Sequence, residues 1–159
     1  MKRLAAAVGY ALGGLQFAVR TQRTLRLHLG LAAVVGGLVV WLQLSAVETA
    51  VVVLALASVI TAELLNTAVE ALVDLLIERN HHELAKMAKD IAAGAVLVTA
   101  AGAAIAGVLL LGPPFGMRLG VRSDLATSGS RVIALCVGAV SVGGGGLAMW
   151  RSKREVRRS

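Results

Sequence analysis

Aromatic residues, cysteine and proline are scarce in this chain of 159 residues. Aromatic residues make up 3% of it, and it has two prolines and one cysteine, Cys136. A lone cysteine excludes an intramolecular disulfide and a metal site built on several cysteines. A soluble core would normally carry more aromatic side chains. Basic residues that are not interleaved with aromatic ones also argue against nucleic-acid binding.

Hydrophobic residues, in contrast, make up 57% of the chain, and the mean hydropathy is +0.80. They fall into several long apolar runs, which predict an all-α fold, a polytopic bundle of membrane-spanning helices. The formal net charge is +7. The basic residues are clustered, which indicates contact with the anionic headgroups of a lipid bilayer and control of membrane topology.

The first part of the chain predicts an amphipathic surface helix followed by a basic turn. Apolar residues recur at helical spacing between about Lys2 and Arg20, as in helices that lie in the membrane interface. The turn, residues 20–28, holds three arginines and His28. It is either a headgroup anchor or a wall that binds phosphate through guanidinium groups.

Apolar spans follow this turn. A capping box of Ser45 and Glu48 predicts that the second span begins near Ala46, and Pro113 and Pro114 predict the end of the third. We expect spans at 29–44, from 46 for about 20 residues, at 91–111 and, as a fourth, at 132–150. The bias of lysine and arginine then places both termini in the bacterial cytoplasm.

Polar residues interrupt the second span at residues 62–74. Glu63, Asn66 and Glu70 are spaced to share one helix face, and Asp74 extends this stripe by a turn. A carboxylate at membrane depth costs about 2.5–3.5 kcal/mol on insertion scales. The first three are therefore functional candidates near the cytoplasmic interface, whereas Asp74 alone could equally be a solvated acid at the helix end.

Two blocks of the sequence resemble the prokaryotic diacylglycerol kinases, small membrane lipid kinases that include the undecaprenol kinases. The blocks are Glu-Leu-Leu-Asn-Thr-Ala-Val-Glu at 63–70 and Ala-Lys-Asp-Ile-Ala-Ala-Gly-Ala-Val at 88–96, and the latter block is most similar to that of undecaprenol kinases. The resemblance covers about Arg3 to Leu111. It implies a kinase-like domain at 1–111, with three spans after the surface helix, and an addition at 112–159 made of a loop, an extra span and a basic tail.

The resemblance also implies an activity. The family transfers the γ-phosphoryl group of ATP to the hydroxyl of a membrane lipid alcohol, with Mg²⁺, at sites between the subunits of a homotrimer on the cytoplasmic side of the membrane. Glu63 matches the catalytic base, Glu70 a metal-binding glutamate, and Asn66 an asparagine of the site. The nucleotide-contacting positions are matched by Arg3, Tyr10, Gln22, Glu70, His82, Lys89 and Asp90.

Two positions depart from the family pattern. Four residues before Arg26 the family usually has a second metal-binding glutamate, and this chain has Gln22, which offers an oxygen but no charge. The loop with His81 and His82 is one residue longer than the family pattern, so which of the two faces the nucleotide stays open. Adjacent histidines point in different directions, which argues against a zinc site.

Gln22 also keeps a different kind of function open. A catalytically impaired pseudo-kinase, or a small helical channel or structural subunit, would show no lipid-dependent turnover of ATP. Between lipid substrates, undecaprenol and diacylglycerol both present a hydroxyl at the interface, and apolar walls do not choose between them.

Overall fold

The computed structural model describes residues 1–77 and 83–120, which form four helices and no strand. The helices are α1 (Lys2–Thr21), α2 (Arg23–Leu42), α3 (Ala46–Ile77) and α4 (Glu83–Arg118). The last three are long and apolar enough to cross a membrane. The predicted all-α membrane architecture is confirmed for these residues, and the fourth span predicted at 132–150 lies outside them.

A single residue, Gln22, separates α1 from α2 and has an extended backbone (φ −98°, ψ 115°). Arg26 stabilises this break, because its Nη1 donates to the carbonyl oxygens of Val19 and Arg20, each at 3.0 Å. The prediction of a turn over 20–28 was wrong, since α2 already begins at Arg23. Arginine and leucine are good helix formers, so the cluster of charge does not prevent a helix.

The connection between α2 and α3 is short and well capped. Gln43 has the left-handed conformation (φ 55°, ψ 47°) that often ends a helix. Glu48 Oε2 accepts a hydrogen bond from the Ser45 N–H at 2.9 Å, and Ser45 Oγ accepts one from the Glu48 N–H at 3.3 Å. The predicted capping box and the start of α3 at Ala46 are confirmed.

The short connection makes α2 and α3 antiparallel neighbours, so the start of α2 lies beside the later turns of α3. The 32 residues of α3 give a helix about 48 Å long at about 1.5 Å per residue. A bilayer's hydrocarbon core is only about 30 Å thick. α3 is therefore longer than an untilted span needs, and the polar stripe lies in its second half.

The fourth helix continues past its predicted end. α4 runs through Pro113 and Pro114 to Arg118, so the prediction that these prolines end the helix was wrong. Proline removes one backbone donor, but membrane helices tolerate it when other groups satisfy the freed carbonyls. The chain divides into two compact units, Met1–Leu111 and Gly112–Ser159, and the polar stripe lies in the first.

Candidate active site

Glu63, which is buried, lies at the centre of a group of three side chains, which we call the Glu63 cluster: Glu63, the half-buried His28 and the exposed Thr24. The glutamate is only 3% exposed. Its Oε1 lies 3.0 Å from His28 Nδ1, and its Oε2 accepts a long hydrogen bond of 3.5 Å from Thr24 Oγ1. The contact with His28 is short but is not aligned as a hydrogen bond, which leaves the buried Nδ1 without an aligned partner.

Glu70 lies two turns further along α3, in another group that we call the Glu70 cluster: Glu70, Gln22 and Asn66. Gln22 Nε2 donates to Glu70 Oε2 at 3.2 Å, and Asn66 Nδ2 donates to Glu70 Oε1 at 2.9 Å. Asn66 Oδ1 is buried and accepts no hydrogen bond. Both oxygens of this carboxylate are thus held by neutral amides, and one amide oxygen is left over.

The two clusters form because α2 and α3 run in opposite directions. Gln22, which precedes α2, contacts Glu70, whereas Thr24 and His28, two and six residues later, contact Glu63. Residues seven apart lie on one face of a helix. Glu63 and Glu70 both face the start of α2, so the predicted stripe is confirmed for these two residues.

An apolar cavity of about 370 Å³ adjoins the Glu63 cluster within the first unit. Its lining comes from α2, α3 and α4 and is almost entirely aliphatic or small; His28 is the polar exception. Representative lining residues are His28, Leu31 and Val35 of α2, Val52 and Val59 of α3, and Gly107 of α4. The cavity therefore has a hydrocarbon wall and a polar end.

The other residues predicted for nucleotide binding lie apart from these contacts. Arg3 and Tyr10 are exposed on α1, and Asp90 is exposed on α4. Lys89 of α4 forms an ion pair with Asp74 of α3. His82 lies outside the described residues. The nucleotide roles of these residues stay predictions.

Sequence reasoning missed His28 and Thr24 as members of the site. His28 was predicted only as part of a basic turn. A signal was present in the spacing, because residues four apart lie on one face of a helix and both are polar. Their partner could not be named, however, since it depends on the register of α2 against α3.

The Glu70 cluster suits a magnesium ion by the chemistry of its donors. Mg²⁺ prefers oxygen ligands and is usually held by one or two carboxylates together with substrate phosphates and water. Among the described residues no group of three or more His, Cys, Asp or Glu side chains could hold a metal ion. Glu70 would therefore be the carboxylate, and the unpaired Asn66 Oδ1 and the oxygen of the Gln22 amide would be the neutral ligands.

The family model for prokaryotic diacylglycerol kinase matches residues 9–111. The chain belongs to this family. All six residues of the Glu63 and Glu70 clusters lie within the matched stretch. The likeness thus covers the part of the molecule in which the two carboxylate sites are built.

Three named relatives show the extent of the likeness. The chain is 47% identical over 105 residues to a diacylglycerol kinase of Synechocystis sp., which is 66% of this chain and 60% of the relative. It is 40% identical over 100 residues to the undecaprenol kinase of Bacillus subtilis (63% and 80%) and 33% identical over 115 residues to a diacylglycerol kinase of Escherichia coli (72% and 93%). The chain therefore spans 60% of the length of the Synechocystis relative it matches.

Proposed function

We propose that the chain is a lipid kinase that transfers the γ-phosphoryl group of ATP to the hydroxyl group of a membrane lipid alcohol, undecaprenol or diacylglycerol. The observation that carries this proposal is a buried carboxylate, Glu63, between an apolar cavity and another carboxylate cluster. The chain's relatives are named for these two lipids. This arrangement suits a reaction in which a hydrocarbon-bearing alcohol meets a charged phosphate.

Glu63 acts as the general base in this proposal. The hydroxyl proton of the lipid passes to the Glu63 carboxylate while the lipid oxygen bonds to the γ-phosphorus and the bond from that phosphorus to the β–γ bridging oxygen breaks, which leaves ADP. A positioned base contributes about 10²- to 10⁴-fold to such a step. Thr24 and His28 contact the two oxygens of Glu63 from one side, and each carboxylate oxygen keeps a lone pair for the hydroxyl.

The Glu70 cluster holds the metal in this proposal. When bound, magnesium would neutralise phosphate charge. Glu70 supplies the charged ligand, and half-turns of the Gln22 and Asn66 amides would present their oxygens instead of their N–H groups. Lys89, now paired with Asp74, would offset the charge of the nucleotide, with Arg3, Tyr10, Asp90 and His82 as further contacts.

Location and assembly follow from the same proposal. ATP is cytoplasmic, so the end of α3 that bears both clusters faces the cytoplasm of a multi-pass membrane protein. The cavity receives the hydrocarbon part of the lipid. None of the residues in the most apolar stretch of α4 is buried within the single chain. That surface is free to pack against other copies in a homotrimer, the assembly that the family resemblance implies.

The test is transfer of labelled phosphate from ATP in mixed micelles with magnesium, with undecaprenol and diacylglycerol offered separately. We expect label in one of the two lipids. Folded protein that labels neither lipid at any magnesium concentration would contradict the proposal.

A matched pair of substitutions controls this assay. Glu63→Gln removes the proposed base, and Glu48→Gln makes the same change on the same helix in the capping box, far from the site. We expect only Glu63→Gln to lower the rate of labelling strongly, by about 10²- to 10⁴-fold. Equal losses in both variants would show that damage to α3, rather than loss of a base, explains the result.

A further inference from the structure

His28 holds a position that no other described residue shares, because it contacts the Glu63 carboxylate and also lines the apolar cavity. Thr24 contacts Glu63 without lining the cavity. Leu31 lines the cavity from the same helix without such a contact. His28 therefore lies where the hydrocarbon space meets the buried carboxylate.

The chemistry of the contact fixes what the imidazole does. An ionised carboxylate can only accept hydrogen bonds, so Nδ1 has to carry a hydrogen for a 3.0 Å approach to Glu63 Oε1 to be attractive. The pair is not aligned as a hydrogen bond in the structure. Hydrogen bonds of catalytic groups are often poorly aligned before substrate binds and become shorter and straighter in the complex.

We infer that His28 is a positioning residue: its Nδ1–H orients the Glu63 carboxylate towards the hydroxyl of a lipid whose hydrocarbon chain occupies the cavity. The inference rests on the proposed lipid kinase function and adds a residue to it. Its physical basis is that a reacting group displaced by about 1 Å can lose about 10²-fold in rate. Thr24 at 3.5 Å is too distant to orient the carboxylate alone.

Two substitutions of His28 distinguish its role in orienting the Glu63 carboxylate from its role in lining the cavity. His28→Asn places an amide N–H close to the position of Nδ1, whereas His28→Leu keeps an apolar wall and removes the donor. We expect His28→Leu to lower kcat by about 10- to 100-fold with little change in the KM for ATP. We expect His28→Asn to retain kcat within about fivefold of the unmodified protein.

Leu31→Ala is the matched control, because it alters the same cavity without touching Glu63. We expect it to raise the KM for the lipid and to leave kcat at saturating lipid nearly unchanged. If both His28 variants showed only this pattern, His28 would be a wall residue and the inference would be wrong. A His28→Asn variant as slow as His28→Leu would also overturn it.

The same assay on Glu63→Gln distinguishes failure of this inference from failure of the proposed function. If His28 acts through Glu63, adding His28→Leu to Glu63→Gln should cost no further activity, since residues that act as one unit are not additive. Independent, multiplying losses would overturn the inference and leave the kinase intact. An unmodified protein that phosphorylates neither lipid would overturn the proposed function and this inference with it.

Discussion

Glu63 and Glu70 lie two turns apart on one face of α3, yet their surroundings differ in kind. Glu63 is buried, and its oxygens contact an imidazole and a hydroxyl beside an apolar cavity. Glu70 is partly exposed, and each of its oxygens accepts a hydrogen bond from an amide. The same side chain at the same helical phase is therefore buried near an apolar cavity in one case and partly exposed between two neutral amides in the other.

The difference teaches how one helix could serve two chemical tasks. A general base for a lipid hydroxyl needs a site that holds the hydrocarbon chain nearby and keeps water away, and the burial of Glu63 near an apolar cavity suits this task. A ligand for a hydrated cation and phosphates needs neighbouring oxygens and access to water, as Glu70 has. The seven-residue spacing keeps both tasks on one face, at different depths along the helix axis.

The largest effect should follow from removing the base. We expect Glu63→Gln to lower the maximal rate of phosphate transfer by about 10²- to 10⁴-fold, because the amide cannot accept the hydroxyl proton. The KM for ATP should change little. A steady-state assay with ATP and lipid varied in turn measures both. A wild-type kcat in this variant would show that Glu63 is not the general base.

A smaller effect should follow from removing the unpaired oxygen of the Glu70 cluster. We expect Asn66→Leu to raise the magnesium concentration at half-maximal rate by about 10- to 100-fold, the usual cost of losing a group that orients or supplements a metal ligand. Asn66→Asp keeps an oxygen at this position and adds a negative charge beside Glu70, so its midpoint should lie at or below that of the wild type. If Asn66→Leu had the same magnesium midpoint as the wild type, Asn66 would not be a ligand of the metal.

Gln22→Glu should shift the magnesium midpoint in the opposite direction to Asn66→Leu. Another carboxylate beside Glu70 adds the charge that the amide lacks, so we expect the magnesium midpoint to fall by about 3- to 10-fold. Gln16→Glu, the same change on the exposed surface of α1, is the control and should not move the midpoint. An unchanged or raised midpoint in Gln22→Glu would show that Gln22 does not face the metal.

The smallest effect should come from the next acid along the stripe. Asp74 is exposed and paired with Lys89, and exposed ion pairs contribute only about 0–1 kcal/mol to stability. We expect Asp74→Asn to change the free energy of unfolding by no more than this and to leave the magnesium midpoint unaltered. Thermal unfolding checks the first expectation and the magnesium titration the second. A shifted midpoint would show that Asp74 also takes part in metal binding.

Much of this arrangement is predictable from the sequence, because it depends on local spacing. The capping box of Ser45 and Glu48 and the common face of Glu63 and Glu70 follow from helix geometry alone. The helix through Pro113 and Pro114 was not predictable in this way, since local proline rules take no account of how a membrane helix satisfies its freed carbonyls.

Tertiary register accounts for the rest of what the sequence could not supply. That Gln22 meets Glu70 and His28 meets Glu63 depends on the short antiparallel connection between α2 and α3. A shift of α2 by one turn relative to α3 would break both contacts without changing the pattern of apolar residues in either helix. Of the residues named from family resemblance, Glu63, Asn66, Glu70 and Gln22 fall into the two clusters and the other described ones do not, whereas Thr24 and His28 needed the structure.

We propose that Glu63 is the general base and that Glu70 binds magnesium. A magnesium titration of phosphate transfer in Glu63→Gln and Glu70→Gln, measured side by side, tests this assignment most directly. The account predicts that Glu63→Gln lowers the plateau and keeps the wild-type midpoint. It predicts that Glu70→Gln moves the midpoint to higher magnesium and recovers much of the plateau when magnesium is saturating. The reverse pattern, or two variants with the same curve, would contradict the account.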